Sequence, residues 1–362
     1  MDAFSFTLPR PAKRDNVCWF LAPRNGVPAS GVDMEVERRS GLSYAQFMRE
    51  YMLPRRPVIL TDVLDDCPAR RKWNPDYFLE RFGERKLRAE SGEMTMREIV
   101  DGVLHPRGER APFLRESPIS WWLPEAMADL APFPCYVHPN WLTYPFARWP
   151  DVRRSGYASR LARTAQTEIN FTGANMRFGA LHLDLFWTHA LVMQWYGAKK
   201  FFIFPVEDTK HLYRKPEIWI SQITDVEHPD YAKFPDFANA HMIEFTLQPG
   251  EAYFNPTGWW HTTRTLDVSI ATVVSFANAS NWKEVTRHLL PPNAPLRSKL
   301  GALPYQAYLR SLGSWRLPKH AFPQPTDPAW CRDSLTHYKR TAGSWKGAAL
   351  GGVPEEALVS RY

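Results

Sequence analysis

Three side chains in the 362-residue sequence are of the types that share one metal ion. His182 and Asp184 lie two residues apart in GALHLDLFW, so on an extended strand, where side chains alternate, both project from one face. A second imidazole, His261, comes far downstream in QPGEAYFNPTGWWHTT, behind a Pro-Gly turn at Pro249 and Gly250 and a short aromatic strand ending in Trp259 and Trp260. Two histidines and one carboxylate make a facial set that leaves three positions of an octahedral metal open, as an oxygen-activating iron enzyme requires. Zinc stays an alternative, although a catalytic zinc needs only one open position. Singly, each residue has a plainer role: a satisfied core histidine, a turn former, a packed strand end. The joint pattern favours the metal.

The elements that would position these residues are short strands. From Thr167 the chain runs through four strand-length segments bounded by Gly or Pro: Thr167 to Thr172, Gly179 to Asp184, Ala190 to Tyr196 and Lys199 to Pro205. A polar, Pro-punctuated excursion from Val206 to Ala240 follows, then strands at Met242 to Leu247, Glu251 to Asn255 and Val268 to Phe276. Little room is left for crossover helices, so the spacing predicts a mainly β fold with flanking helices and a double-sheet jelly roll as its core. Upstream, helices are expected at Ser43 to Leu53 with a Ser43/Gln46 capping box, at Asn74-Pro75 to Phe82, and from Thr95 with a Thr95/Glu98 capping box. Strands are expected at Pro57 to Thr61 and Lys86 to Glu90, and Pro112 to Tyr157 reads as loops and short strands packed by aromatics. Beyond Trp282 the pattern turns helical, in WKEVTRHLL and in PYQAYLRSLG. Three regions follow: 1–110, packing on the core; 111–282, the β core; and 283–362, a basic helical tail suited to pairing two subunits.

Composition narrows the class. Fifteen Trp and 32 Pro suit a turn-rich β fold with large aromatic packing units. Cys18, Cys67, Cys135 and Cys331 are scattered without a CxxC pair, which argues against a disulfide framework or thiolate zinc cluster. No apolar run approaches the roughly 20 residues that cross a bilayer, and the start MDAFSFTLPRPAKRD lacks a secretory pattern, so the expected location is cytoplasmic with no membrane partner. The net charge of +7 resides in residues 283 to 362, which hold 12 Lys or Arg against 5 Asp or Glu and leave 33 of each for the rest. A solvated helical face explains this, and it leaves an acidic partner or nucleic acid open, although no known RNA-binding motif is present.

The run Gly197-Ala198-Lys199-Lys200-Phe201-Phe202-Ile203-Phe204-Pro205 after His182-Leu183-Asp184, with LQPGEAYFNPTGWWH downstream, resembles the cupin-type Jumonji C (JmjC) hydroxylases. The resemblance covers Ser43 to about Trp282 and is close from Glu168 onward. It implies a double-stranded β-helix core that binds Fe(II), 2-oxoglutarate and O2, with His182, Asp184 and His261 as metal-binding and catalytic residues. The family's lysine for the distal carboxylate of 2-oxoglutarate falls on Lys199, which shares strand parity with Phe201 and Ile203 while Lys200 faces away. A carboxylate at Asp184 favours hydroxylation over halogenation.

The chain departs from the family pattern in three places. Gly179 stands where relatives often carry Thr or Ser, Ser275 or Val273 where they carry a cofactor-contacting Asn or Thr, and Phe113 where some carry a tyrosine. Ser275, Thr188, Asn170 and Gln194 are the candidate replacements. Trp187, Thr188 and His189 follow the ligands directly, where relatives place groups that touch substrate or orient ligands. Trp259 and Trp260 read as core, and His211, His228 and His241 have no ligand spacing. The resemblance implies hydroxylation of an amino-acid side chain in a protein or peptide, with a tRNA base or a small natural product as other substrates. A metal-binding cupin without turnover is the reading from a different class.

Overall fold

Local signals account for the first helices. In the computed structural model, which describes residues 35–89, 92–106, 114–143, 164, 166–290, 294 and 296–315, Ser43 caps helix α1 (Tyr44–Phe47) and closes a capping box with Gln46. The expected continuous helix to Leu53 instead widens into a π turn over Met48–Met52, closed by the Leu53 N–H on the Met48 carbonyl at 2.9 Å. The wider turn buries Tyr51 and Met52 together. Helix α2 (Ala69–Lys72) precedes α3 (Pro75–Phe82), where Asn74 caps and proline opens the first turn, and the Thr95/Glu98 box opens α4 (Met96–Leu104).

Strands β1 (Glu37–Arg39), β2 (Val58–Leu60), β3 (Lys86–Ala89), β4 (Gly92–Thr95) and β5 (Leu114–Pro118) come before helix α5 (Ile119–Trp122). The core strands are β6 (Thr167–Thr172), β7 (Arg177–His182), β8 (His189–Tyr196), β9 (Lys199–Pro205), β10 (Ile243–Leu247), β11 (Ala252–Asn255), β12 (Trp259–Thr265) and β13 (Ser269–Phe276). A seven-stranded sheet runs β1-β2-β11-β8-β13-β6-β5, a four-stranded sheet runs β10-β9-β12-β7, and β3-β4 form a separate hairpin. This is the predicted jelly roll. The segment before α2 does more than pack on it, because β2 pairs with β11 and brings β1 into the large sheet.

Period-two alternation assigns each strand residue to a layer. Ile59, Val192 and Tyr253 of the large sheet meet Phe201, Ile203 and Trp259 of the small one, so these positions and those two residues from them along each strand line the interior. On the outer face of the large sheet, Leu191, Met193, Phe254, Val274 and Phe276 pack under Phe47, Phe78 and Ile99 of α1, α3 and α4. On the outer face of the small sheet, Phe202, Phe204 and Trp260 pack under Leu212, Ile223, Phe234 and Phe237 of the excursion. The molecule is therefore layered, with the interior between two sheets and a hydrophobic cover outside each.

Helix α6 (Trp282–Arg287) precedes α7 (Leu296–Trp315). The second tail helix begins eight residues before Pro304, where the sequence pattern starts it, because apolar residues recur at Leu296, Leu300 and Leu303. Among the described residues no helix is long and apolar enough to cross a membrane.

Phe47 is fully buried, with its ring 4.6 Å from Tyr136 and 4.9 Å from Phe254, and so ties α1 to the large sheet. Phe47→Ala should lower unfolding stability by about 3–5 kcal/mol, read as a shift of the denaturant midpoint with an unchanged slope.

Candidate metal centre

His182 ends β7, and His261 is the third residue of β12. The two pair directly across the antiparallel strands, with ring centroids 4.3 Å apart. The sequence pattern stops the aromatic strand at Trp260, whereas β12 runs on through the Thr-rich HTTRT, whose β-branched residues favour extended backbone. Pro256, Thr257 and Gly258, the last at φ +92°, turn the chain from β11 into it. Asp184 follows β7 immediately. One ligand atom from each of His182, Asp184 and His261 lies within 4.8 Å of the other two, and Asp184 Oδ1 is 3.7 Å from His261 Nε2.

The second nitrogen of each imidazole is already engaged. His182 Nδ1 meets the Ala180 carbonyl at 2.9 Å, and His261 Nδ1 meets the Trp259 carbonyl at 3.2 Å. With Nδ1 as the donor, His182 Nε2 keeps a lone pair directed at the shared space, and His261 Nε2 does the same when its Nδ1 donates to the Trp259 carbonyl rather than accepting from Asn255 Nδ2, which is also 3.2 Å away. Burial, reinforced by the neighbouring His261 ring, pushes the His182 pKa well below its ordinary value, so this imidazole is neutral and able to bind a metal.

Asp184 is held by a residue that the sequence did not point to. Asn255 Nδ2 donates to Asp184 Oδ2 at 2.9 Å, and the Tyr253 hydroxyl donates to Asn255 Oδ1 at 3.0 Å. Both donors lie on the inner face of β11, two residues apart. Asn255 ends the expected strand Glu251 to Asn255 with no role assigned to it, and its parity with buried Tyr253 was the available signal. Burial, together with the Asp184 charge, raises the Tyr253 pKa well above the usual phenol range, so this hydroxyl stays a donor.

The chain then turns sharply. Phe186 and Trp187 adopt φ of +57° and +56°, a left-handed conformation that is strained for side chains of this size. Surrounding contacts hold it. Thr257 Oγ1 donates to the Trp187 carbonyl at 2.8 Å, Asn281 Nδ2 donates to Thr257 Oγ1 at 3.0 Å, and the Trp187 ring stacks on His288 at 4.1 Å. His189, expected to touch substrate or orient a ligand, faces the other side of β8. It is fully buried against Phe254 and Phe276, accepts the Thr257 N–H at Nδ1 and bonds Ser280 Oγ through Nε2. It is a structural tie, kept neutral by burial that takes its pKa down to about 3.

Lys199 faces the interior with Phe201 and Ile203. It is 4% exposed and has no carboxylate partner among the described residues, and burial alone brings its pKa down to about 8. Lys200 faces outward, as expected, to Glu244 at 3.0 Å. Of the other candidates, Asn170 faces the interior but its Oδ1 accepts the Glu116 N–H at 3.0 Å, and the Thr188 hydroxyl donates to the Leu185 carbonyl at 3.3 Å. Ser275 lies half-buried on the inner face of β13, opposite Ala190. Gln194 spends its amide on Tyr196, Gly197 and Ser269. Gly179 lies within β7, and Phe113 is outside the described residues. Trp259 and Trp260 are core, while His211, His228 and His241 pair with Asp236, Asp225 and Asp208 in the excursion. That excursion runs along β7, where the Leu183 N–H donates to the Trp219 carbonyl and the Ser221 N–H to that of Leu181.

A family model described as a cupin-like domain matches residues 44–281, about two thirds of the chain and the whole of this site. The chain belongs to the cupin-like domain family. The curated relatives it resembles include a protein named for the JmjC domain. The chain is 27% identical over 264 residues to lysine-specific demethylase 8 of Xenopus tropicalis, covering 69% of this chain and 54% of that protein. It is 28% identical over 249 residues to lysine-specific demethylase JMJ30 of Arabidopsis thaliana, covering 67% and 54%. It is 25% identical over 261 residues to JmjC domain-containing protein 8 of Rattus norvegicus, covering 68% and 85%. The cupin-like chain thus spans about half the length of the two demethylases.

If Asn255 fixes the carboxylate, Asn255→Ala should weaken binding of Mn(II) about 10–100-fold while leaving the fold intact. Titration followed by the free Mn(II) paramagnetic signal, beside a circular dichroism melt, checks this; unchanged affinity would make Asn255 a packing residue only.

Proposed function

We propose that this cupin-like chain is an Fe(II)- and 2-oxoglutarate-dependent oxygenase that hydroxylates an unactivated C–H bond, most readily on an amino-acid side chain of a protein or peptide. One arrangement carries the reading: the His182, Asp184 and His261 donors converge on the same interior that holds Lys199, a buried cation without a carboxylate partner among the described residues. Two imidazole nitrogens and a carboxylate suit Fe(II) and leave positions open, and a buried ammonium calls for an anion.

The chemistry that iron, 2-oxoglutarate and O2 would supply there is oxidative decarboxylation to succinate and CO2, one atom of O2 going to succinate and the other into a C–H bond. The chain's own part is positional. His182 and His261 present Nε2, Asn255 orients Asp184, and Lys199 holds the distal carboxylate. Phe201, Ile203, Val192 and Val273 line the space between and exclude water. Ser275 is the strongest of the remaining cosubstrate candidates, since the Asn170 oxygen and the Thr188 hydroxyl are already used.

The relatives named as lysine-specific demethylases fit this reading, because hydroxylating an N-methyl carbon and a side-chain carbon are the same C–H step. Exposed Leu296, Leu300 and Leu303 on α7 accord with a homodimer formed through this region. Protein, tRNA and small-molecule substrates are separated by a mass search for one added oxygen atom in host peptides, RNA and metabolites. A silent metal-binding cupin would give no succinate.

Asp184→Ala and His182→Ala should each abolish succinate formation from 2-oxoglutarate under air with Fe(II); full turnover in either would refute the ligand set. A second outcome follows from Lys199. Only the ammonium form attracts the carboxylate, and with its pKa at about 8 in the free protein, affinity for 2-oxoglutarate should be flat below that pH. Above it, affinity should fall by up to about tenfold per pH unit. Calorimetry of the Mn(II)-loaded protein from pH 6.5 to 9 measures this, and Lys199→Met should remove the slope.

A further inference from the structure

Between His261 and Lys199 the inner face of the small sheet carries a hydroxyl that the fold itself does not use. Thr263 is two residues beyond His261 on β12 and points the same way. It sits opposite Phe201 on β9, and the next pair along is Thr265 with Lys199. Thr263 and Lys199 are thus diagonal neighbours on one face, a spacing that a lysine side chain spans readily. Thr263 is 6% exposed, and its hydroxyl makes no hydrogen bond to any described residue.

Its neighbours on the same edge of β12 behave differently. Thr265 is spent on the Gly173 carbonyl at 2.7 Å and so closes that end of the interior, while Thr262 and Arg264 face outward, Arg264 to Glu227 at 2.7 Å. The Thr263 hydroxyl is not sealed off as the unpaired hydroxyls of Thr167 and Thr172 are, so it opens on the space that a ligand would enter, and Val would keep its shape while removing the donor. A threonine here, beside a buried cation that also lacks an anion, marks a place where both groups meet one acceptor.

We infer that the Thr263 hydroxyl and the Lys199 ammonium bind the same carboxylate, so that Thr263 is a cosubstrate-positioning residue that selects a dicarboxylate long enough to reach both Lys199 and the metal. The inference rests on the proposed 2-oxoglutarate site. It also gives a structural reading of Gly179 on β7: strand β7 bulges between its pairings His182 with His261 and Phe178 with Thr263, so the hydroxyl comes from the adjacent strand. Lys199 supplies the charge, and Thr263 supplies a directed hydrogen bond that fixes where the carboxylate ends.

Binding to the Mn(II)-loaded protein, measured by calorimetry without turnover, tests the inference with two ligands. One is 2-oxoglutarate; the other is 2-oxobutyrate, which shares the metal-binding end and lacks the distal carboxylate. Thr263→Val should weaken 2-oxoglutarate about tenfold or more, as for a hydrogen bond to a charged group, leave 2-oxobutyrate unchanged and preserve the melting temperature. Thr263→Ser should restore most of the affinity. Equal weakening of both ligands, or no weakening of 2-oxoglutarate, would overturn the role of Thr263. If the unsubstituted protein binds no 2-oxoglutarate, the proposed function fails and takes this inference with it.

Discussion

The cross-strand pairing of His182 with His261 is the contact on which the site depends. It places two imidazoles 4.3 Å apart at the edge of the small sheet, and each ring is fixed by a carbonyl of its own strand two residues earlier. Strand geometry therefore sets both the separation and the direction of the nitrogens. A slip of one residue in this register would turn one imidazole to the outer face, where Phe204 and Trp260 already fill the space under the excursion. The aromatic packing outside the sheet thus protects the chemistry inside it.

Asp184 cannot be placed by that register, because it lies past the end of β7. Its carboxylate is fixed from the large sheet, through Tyr253 and Asn255 on β11. The ligand set is consequently assembled across both sheets, and its geometry is sensitive to how they pack. Directly after Asp184 the backbone takes two left-handed residues, held by Thr257, Asn281 and the stacked His288. Strain of that kind persists only where the surroundings over-determine it, and here the region after β13 reaches back to the loop that carries a ligand. The first residues of the tail are part of the site's support.

Much of this was legible from residues in order. Capping boxes at Ser43 and Thr95, Asn74-Pro75 at the head of α3, and the Gly- and Pro-bounded strands from Thr167 to Phe276 are local signals, and the structure has an element at each. The i, i+2 spacing of His182 and Asp184 and the parity of Lys199 with Phe201 follow from the pleat alone. Other features were hidden because their cause is not local. The π turn after Phe47 serves the burial of Tyr51 and Met52. His189 looks like a companion of the ligands by position, yet strand parity sends it to the opposite face. Asn255 falls at the end of an expected strand, where nothing in the local pattern marks it as a support for a ligand 71 positions away.

By itself, the sequence determined the class of fold, the residue types of the metal centre and the strands that carry them, since alternation and turn chemistry act over a few residues. Only the tertiary structure decided which groups meet. It set Asn255 against Asp184 over 71 positions of chain, stacked His288 on Trp187, and left Lys199 and Thr263 in one interior with no carboxylate or hydrogen-bond partner among the described residues. Those juxtapositions depend on sheet order and on the facing of two sheets, and such long-range packing leaves no periodic trace in the chain.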